Sequence, residues 1–304
     1  MKQPLLAALA IAILPGFILP AAHAAPQSTP APSPSPGEIV AAAPAAEWQE
    51  IAADDLLVMT LANGRSIVIQ LNPDFSRTHV ANMRGLARAH WWDGTSVYRV
   101  QDNYVSQWGD RTEKKPLPPG LKFTTEDYSL PAKGVAITRM PSRDAYARLT
   151  GFWKGWPLAG DGKSAWLPHC YGMVGVGRNL SPDAGTGAEL YAVIGHAPRH
   201  LDRNIALVGR VVEGMDALSA LPRGTEGLGV YGPAQEPTGI TSIRLASELP
   251  AADRPHFVQL DTAGPSFLRY AAARANRKDA FFNIPAGGAD ICNIPVPVKR
   301  SAPQ

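Results

Sequence analysis

No run of five like charges occurs in the 304 residues, and Lys+Arg 29 against Asp+Glu 26 leaves a net charge of only +3. That balance does not suit a protein that neutralises a phosphate backbone, so no nucleic-acid partner is expected. Phosphate-cradling loops, serine elbows and catalytic cysteine motifs are also missing, which leaves nucleotide chemistry and triad hydrolysis without parts. His196 and His200 have the spacing of a metal pair. Pro198 breaks any helix between them and no third ligand is near, so neither a metal nor any other cofactor is expected. Cysteine is scarce: Cys170 and Cys292 leave room for one disulfide. The long apolar run "LLAALAIAILPGFILPAA" near the N-terminus is interrupted by Pro15 and Pro20, which argues against a membrane-spanning helix.

That run has another use. Lys2 precedes it and Ala22-His23-Ala24 follows, the pattern of a secretory signal (residues 1–24) cut after Ala24. No cysteine stands at the cleavage site, so a lipid anchor is not expected. The mature chain is read as periplasmic, with no membrane insertion after cleavage, and as a monomer. In an oxidising compartment the even cysteine pair reads as a Cys170–Cys292 disulfide, the alternative being two unrelated buried thiols. Closing so long a loop is worth about 4–5 kcal/mol in the chain-entropy model.

Residues 25–47, rich in Pro, Ala and Ser, read as a flexible or semi-extended linker, with order beginning at Trp48. "DLLVMTLANGRSIVIQLN" is a β-hairpin pattern whose Asn63-Gly64 favours a two-residue type I′ turn. Val80, Met83, Leu86 and Ala87 recur at helical spacing, with Ser76 or Thr78 as N-cap. "TSVYRV", "NYVSQW", "GVAITRM", "YGMVGVGRN", "AELYAVIGHA", "IALVGRVV" and "ITSIRLAS" read as strands, and "EGMDALSALP" as a short helix stopped by Pro222. Residues 141–170 lose all periodicity and read as a long ordered loop or insertion held by Trp153, Trp156 and Trp166. Many short strands with two convincing helices imply a mainly β fold, a closed barrel with helices at its ends, over residues 48–250. Residues 251–304 form an extension packed on the barrel, with one amphipathic helix in "PSFLRYAAARANRKDAFF".

Within this pattern one stretch carries chemistry. In "TSVYRVQDNYVSQWGD", Arg99 stands among apolar and aromatic residues, and eight positions later comes Gln107, then Trp108-Gly109-Asp110. Arg99 alone reads as a surface or structural ion-pair arginine, and Gln107 alone carries no functional signal. Together with "GMVGVGRN" and "GAELYAVIGHAPRHLDRNIALVGRVVEGMDAL", this resembles the cyclophilin-type peptidyl-prolyl isomerases over about residues 54 to 246.

The resemblance implies an eight-stranded antiparallel barrel closed by two helices, and rotation of X–Pro bonds in proline-containing polypeptide clients. It places Arg99 at the catalytic arginine and Gln107 at the glutamine that orders it. Tyr104 and Tyr191 fall at pocket phenylalanines, Val105 at a methionine, and Leu201 at a pocket leucine. Gly177 and Arg178 match an Ala-Asn pair that binds substrate backbone. Tyr104, Tyr191 and Leu201 fit plain barrel core equally well, and Gly177 also fits a strand glycine. Three departures stand out. Glu189 replaces a glutamine near Arg99, His200 replaces a tryptophan, which implies weak cyclosporin binding, and Ile205 replaces a histidine unless a one-residue shift puts Asn204 there. With the insertion and the extension, Glu189 also motivates a second reading: a barrel that holds proline segments with weakened catalysis. Residues 141–170 are expected beside the groove, narrowing substrate choice.

Overall fold

The computed structural model describes residues 33–124 and 128–302. The signal segment and residues 25–32 of the linker lie outside the described residues. Eight antiparallel strands close into a barrel, in the order Met173–Val176, Leu190–Val193, Val105–Gly109, Ser96–Val100, Thr238–Leu245, Leu56–Leu61, Ser66–Leu71 and Leu207–Glu213, which pairs back with the first. The strands are rich in β-branched and apolar residues, and their inward positions make one core with Trp92, Trp108, Val174 and Leu190 fully buried. Helix Arg77–Arg88 covers that core with Val80, Met83, Leu86 and Ala87, and the short helix Met215–Ser219 adds Ala217 and Leu218.

The hairpin forms as expected, but its turn differs. Thr60 pairs with Ser66, and the Gly64 N–H donates to the Leu61 carbonyl, so the loop has three residues rather than two. Only Gly64 takes a positive φ, 81°, while the Asn63 side chain accepts from the Arg65 N–H at 3.1 Å. A type I turn followed by a left-handed glycine suits this loop length, and it relieves Asn63 of left-handed strain.

Four other expectations are corrected. Residues 141–170 are not a loop. Leu149–Trp153, Trp156–Gly160 and Ser164–Trp166 join Leu130–Pro131 and Thr138–Arg139 in a five-stranded sheet. All five residues of Trp156–Gly160 are buried, so no apolar–polar alternation exists to be read. Thr138–Arg139, from "GVAITRM", belongs to this sheet and not to the barrel. The linker, too, is ordered within the described residues. Ser35 and Glu38 form a capping box with Pro36 at the first helical position, and the helix Pro36–Ala41 buries Ile39. In the extension, the helix stops at Ala275 rather than reaching Phe282. The extension also supplies two strands, Phe257–Leu260 and Val298–Arg300, to a sheet with Trp48–Glu50.

The insertion and the extension share a second core. Phe152 meets Phe267 edge to face at 4.7 Å between ring centres, and Ile39, Trp156, Leu167, Ile291 and Ile294 join them. Cys170 and Cys292 are bonded at the edge of this core, with Cα atoms 5.0 Å apart. Among the described residues, no helix is long and apolar enough to cross a membrane.

Candidate active site

Arg99 and Gln107 face each other across adjacent strands, Ser96–Val100 and Val105–Gly109. The register shifts between Val97 and Arg99, and this bulge lets the neighbouring side chains Tyr98 and Arg99 both reach Gln107. The Arg99 guanidinium is held on three sides. Its Nη1 donates to Gln107 Oε1 at 2.8 Å, its Nη2 to Gln101 Oε1 at 2.6 Å, and its Nε to the Leu228 carbonyl at 2.7 Å. It also lies over the Tyr104 ring at 5.9 Å. Partial burial pulls its pKa down from the ordinary arginine value, yet a guanidinium stays charged.

The Leu228 carbonyl is delivered by a loop that closes on Arg99. Gly229 in that loop has φ 76°, and a Cβ there would stand 2.5 Å from Gln101 Cα. Only glycine fits so tight an approach.

Beside the arginine is an apolar cluster. Val105, Tyr191 and Val193 are buried together, with Tyr104 and Ile205 packed against them. The Tyr104 and His200 rings are nearly parallel, 6.2 Å apart, His200 being exposed on the turn Arg199–Leu201 that also carries half-buried Leu201. Ile205, not Asn204, packs against this cluster. The Asn204 amide turns back to the His200 and Asp202 carbonyls at 3.2 and 3.1 Å. Gly177, Arg178 and Glu189 line a different recess, of about 290 Å³, together with Tyr98 and Gln107. Arg178 donates through Nε and Nη2 to the Asn204 carbonyl at 3.0 and 2.9 Å, tying the two sides of the site together.

A family profile described as "Cyclophilin type peptidyl-prolyl cis-trans isomerase/CLD" matches residues 56–244, more than half of the chain. The chain belongs to the cyclophilin-type peptidyl-prolyl cis-trans isomerases. Among curated proteins, it is 25% identical to a probable peptidyl-prolyl cis-trans isomerase of Brucella suis over 57% of this chain and 74% of that one. A Brucella abortus counterpart is 24% identical over the same shares. Among solved structures, the cyclophilin AquaCyp293 from Hirschia baltica is 25% identical with a TM-score of 0.65, covering 83% of this chain and 93% of that chain.

In this cyclophilin Glu189 does not bond Arg99. Its Oε2 accepts from the Tyr98 hydroxyl at 2.8 Å and its Oε1 from the Asp110 N–H at 2.7 Å. Gln107 Nε2 donates to the Tyr98 oxygen at 2.8 Å. A directed chain therefore runs from the Arg99 cation through Gln107 and Tyr98 to the Glu189 carboxylate, each donor facing one acceptor. Gly109 makes room for its end, because a Cβ there would stand 2.1 Å from Glu189 Oε1. Sequence reasoning missed Tyr98, Gln101 and the Leu228 carbonyl. A strand's two-residue period puts Tyr98 and Arg99 on opposite faces, and only the bulge removes that objection.

Burial is the main cause raising the Glu189 pKa above the ordinary carboxylate value, against the Tyr98 and Asp110 bonds that lower it. A carboxyl raised in the fold weakens stability once ionised, and this cost disappears as pH falls through the folded pKa. The stability of Glu189→Gln relative to the parent is therefore expected to rise with pH across that titration in thermal melts from pH 4 to 8. A difference that falls as pH rises would contradict this account.

Proposed function

We propose that this cyclophilin speeds rotation about X–Pro bonds in exported polypeptides, with Arg99 stabilising the twisted amide. The observation that carries the reading is a half-buried guanidinium fixed by three acceptors beside an apolar cluster. Rotation faces a barrier of about 18–20 kcal/mol because resonance holds the C–N bond planar. No bond to a leaving group breaks. As the amide twists, resonance is lost and the proline nitrogen becomes pyramidal and basic.

Of its five N–H donors, Arg99 commits one at each nitrogen to the protein, which leaves one on each terminal nitrogen for that developing lone pair. A donor fixed before the reaction needs no reorganisation during it. The second N–H of Gln107 Nε2 is available to a peptide carbonyl, and the half-exposed Tyr104 and Ile205, backed by buried Val105 and Tyr191, receive the proline ring. Arg178, Gly177 and His200 then flank the peptide on either side.

The apolar N-terminal run and the Cys170–Cys292 bridge support an exported, oxidised setting. N-terminal sequencing of the secreted protein should begin at Ala25; a chain retaining residues 1–24 would refute export by cleavage. The function itself is tested by following cis-to-trans conversion of a series of Xaa-Pro tetrapeptides with the mature protein. Acceleration is the expected result. A folded protein inactive on all of them, yet binding them, would instead favour a proline-holding module.

A further inference from the structure

The insertion reaches the proline pocket from beneath. The Tyr191 hydroxyl is 3.0 Å from His169 Nε2, and the two rings lie 6.4 Å apart and 13° from parallel. His169 is 0% exposed and Tyr191 4% exposed, so water does not substitute for either partner. His169 Nδ1 and its backbone N–H both face Asp202 Oδ1, at 3.1 and 2.9 Å. The other carboxylate oxygen, Oδ2, accepts from Arg199 Nε at 2.6 Å and from Trp166 Nε1 at 3.2 Å. Arg199 in turn grips Asp144 with both terminal nitrogens, at 2.9 and 3.2 Å. Asp144, Trp166 and His169 all come from the insertion.

A carboxylate only accepts, so Nδ1 of His169 carries the proton and Nε2 is bare in the neutral ring. The Tyr191 hydroxyl is then a donor into Nε2. Burial of His169 lowers its pKa, which keeps that neutral state. The family expectation at position 191 is a phenylalanine, which needs no such anchor. A tyrosine there brings a hydroxyl that must be satisfied away from the proline ring.

We infer that His169 is a positioning residue of the proline pocket: by accepting the Tyr191 hydroxyl it sets where the phenol wall stands, and the insertion thereby tunes how tightly the pocket takes an X–Pro segment. The inference rests on the isomerase reading of the site. The pocket holds the ring in ground state and transition state alike, so its loosening shows in KM and not in kcat.

The test is a cycle of His169→Leu, Tyr191→Phe and the double variant. His169→Leu is expected to raise KM for Xaa-Pro peptides about fivefold with kcat within about twofold. Added to Tyr191→Phe, the same change should alter KM by less than about twofold, because no hydroxyl remains to be held. Equal losses in both backgrounds, or a fall in kcat at constant KM, would mean a merely structural histidine and overturn the inference. The unmutated protein gives a second reading that needs no variant to fold. Titrating an Ala-Pro tetrapeptide should shift the His169 Nε2 resonance, and a resonance unchanged at saturation overturns the inference. Absence of turnover in the unmutated protein would fail the isomerase reading separately, with peptide Kd replacing KM in the cycle.

Discussion

Replacing Arg99 with alanine lowers kcat/KM for X–Pro isomerisation by about 100- to 1000-fold, the range found when one fixed donor to a developing charge is removed. That corresponds to about 2.7–4 kcal/mol of lost transition-state stabilisation. The size follows from the way the guanidinium is held. Gln107, Gln101 and the Leu228 carbonyl fix its plane, so its free N–H groups are aimed before the amide twists. Arg99→Lys should lose much of the same activity, since a single ammonium cannot satisfy three separated acceptors and still face the peptide. Both variants should keep the parent's circular dichroism, because the barrel core does not include Arg99. Activity within about threefold of the parent would place catalysis elsewhere and revive the proline-holding reading.

Loss of the disulfide gives the largest expected change in stability. The bond joins residues separated by 122 positions and ties the end of the insertion to the extension. The chain-entropy model gives about 5 kcal/mol for a loop of this length, and removal of native bridges commonly costs 2–5 kcal/mol. The double variant Cys170→Ala/Cys292→Ala should therefore melt on the order of 10 °C lower than the parent. Thiol titration of the unreduced, denatured protein should find no free thiol, whereas two would refute the bridge. Cys170 directly follows His169, so the same variant is expected to loosen the pocket wall and raise KM while kcat holds.

The barrel was legible because its strands are short runs rich in β-branched and apolar residues, bounded by turns. The hairpin and the helix over Val80, Met83 and Leu86 follow from local periodicity, and the Arg99–Gln107 pairing from the family resemblance. The insertion was not legible as a sheet, since Trp156–Gly160 is buried on both faces and shows no period. The helix Pro36–Ala41 was hidden by the Pro-rich composition around it, although Ser35, Pro36 and Glu38 together spell a capping box. Tyr98 needed a bulge to reach Gln107. His169 needed the third dimension altogether: nothing local in "LPHC" points to a tyrosine on another strand. Glu189 was identified as a departure, but its partners depend on Gly109 leaving space for a carboxylate.

The three-stranded sheet has a consequence for how the chain is made. Trp48–Glu50 pairs with Phe257–Leu260, whose other edge is covered by Val298–Arg300. The barrel strand Leu56–Leu61 likewise waits for Thr238–Leu245. A ribosome adds about 5–20 residues per second, so roughly 10–50 s separate the first and last strands of that sheet. Until those later partners are made, Trp48–Glu50 and one edge of Leu56–Leu61 stay unpaired, open to pairing with other chains.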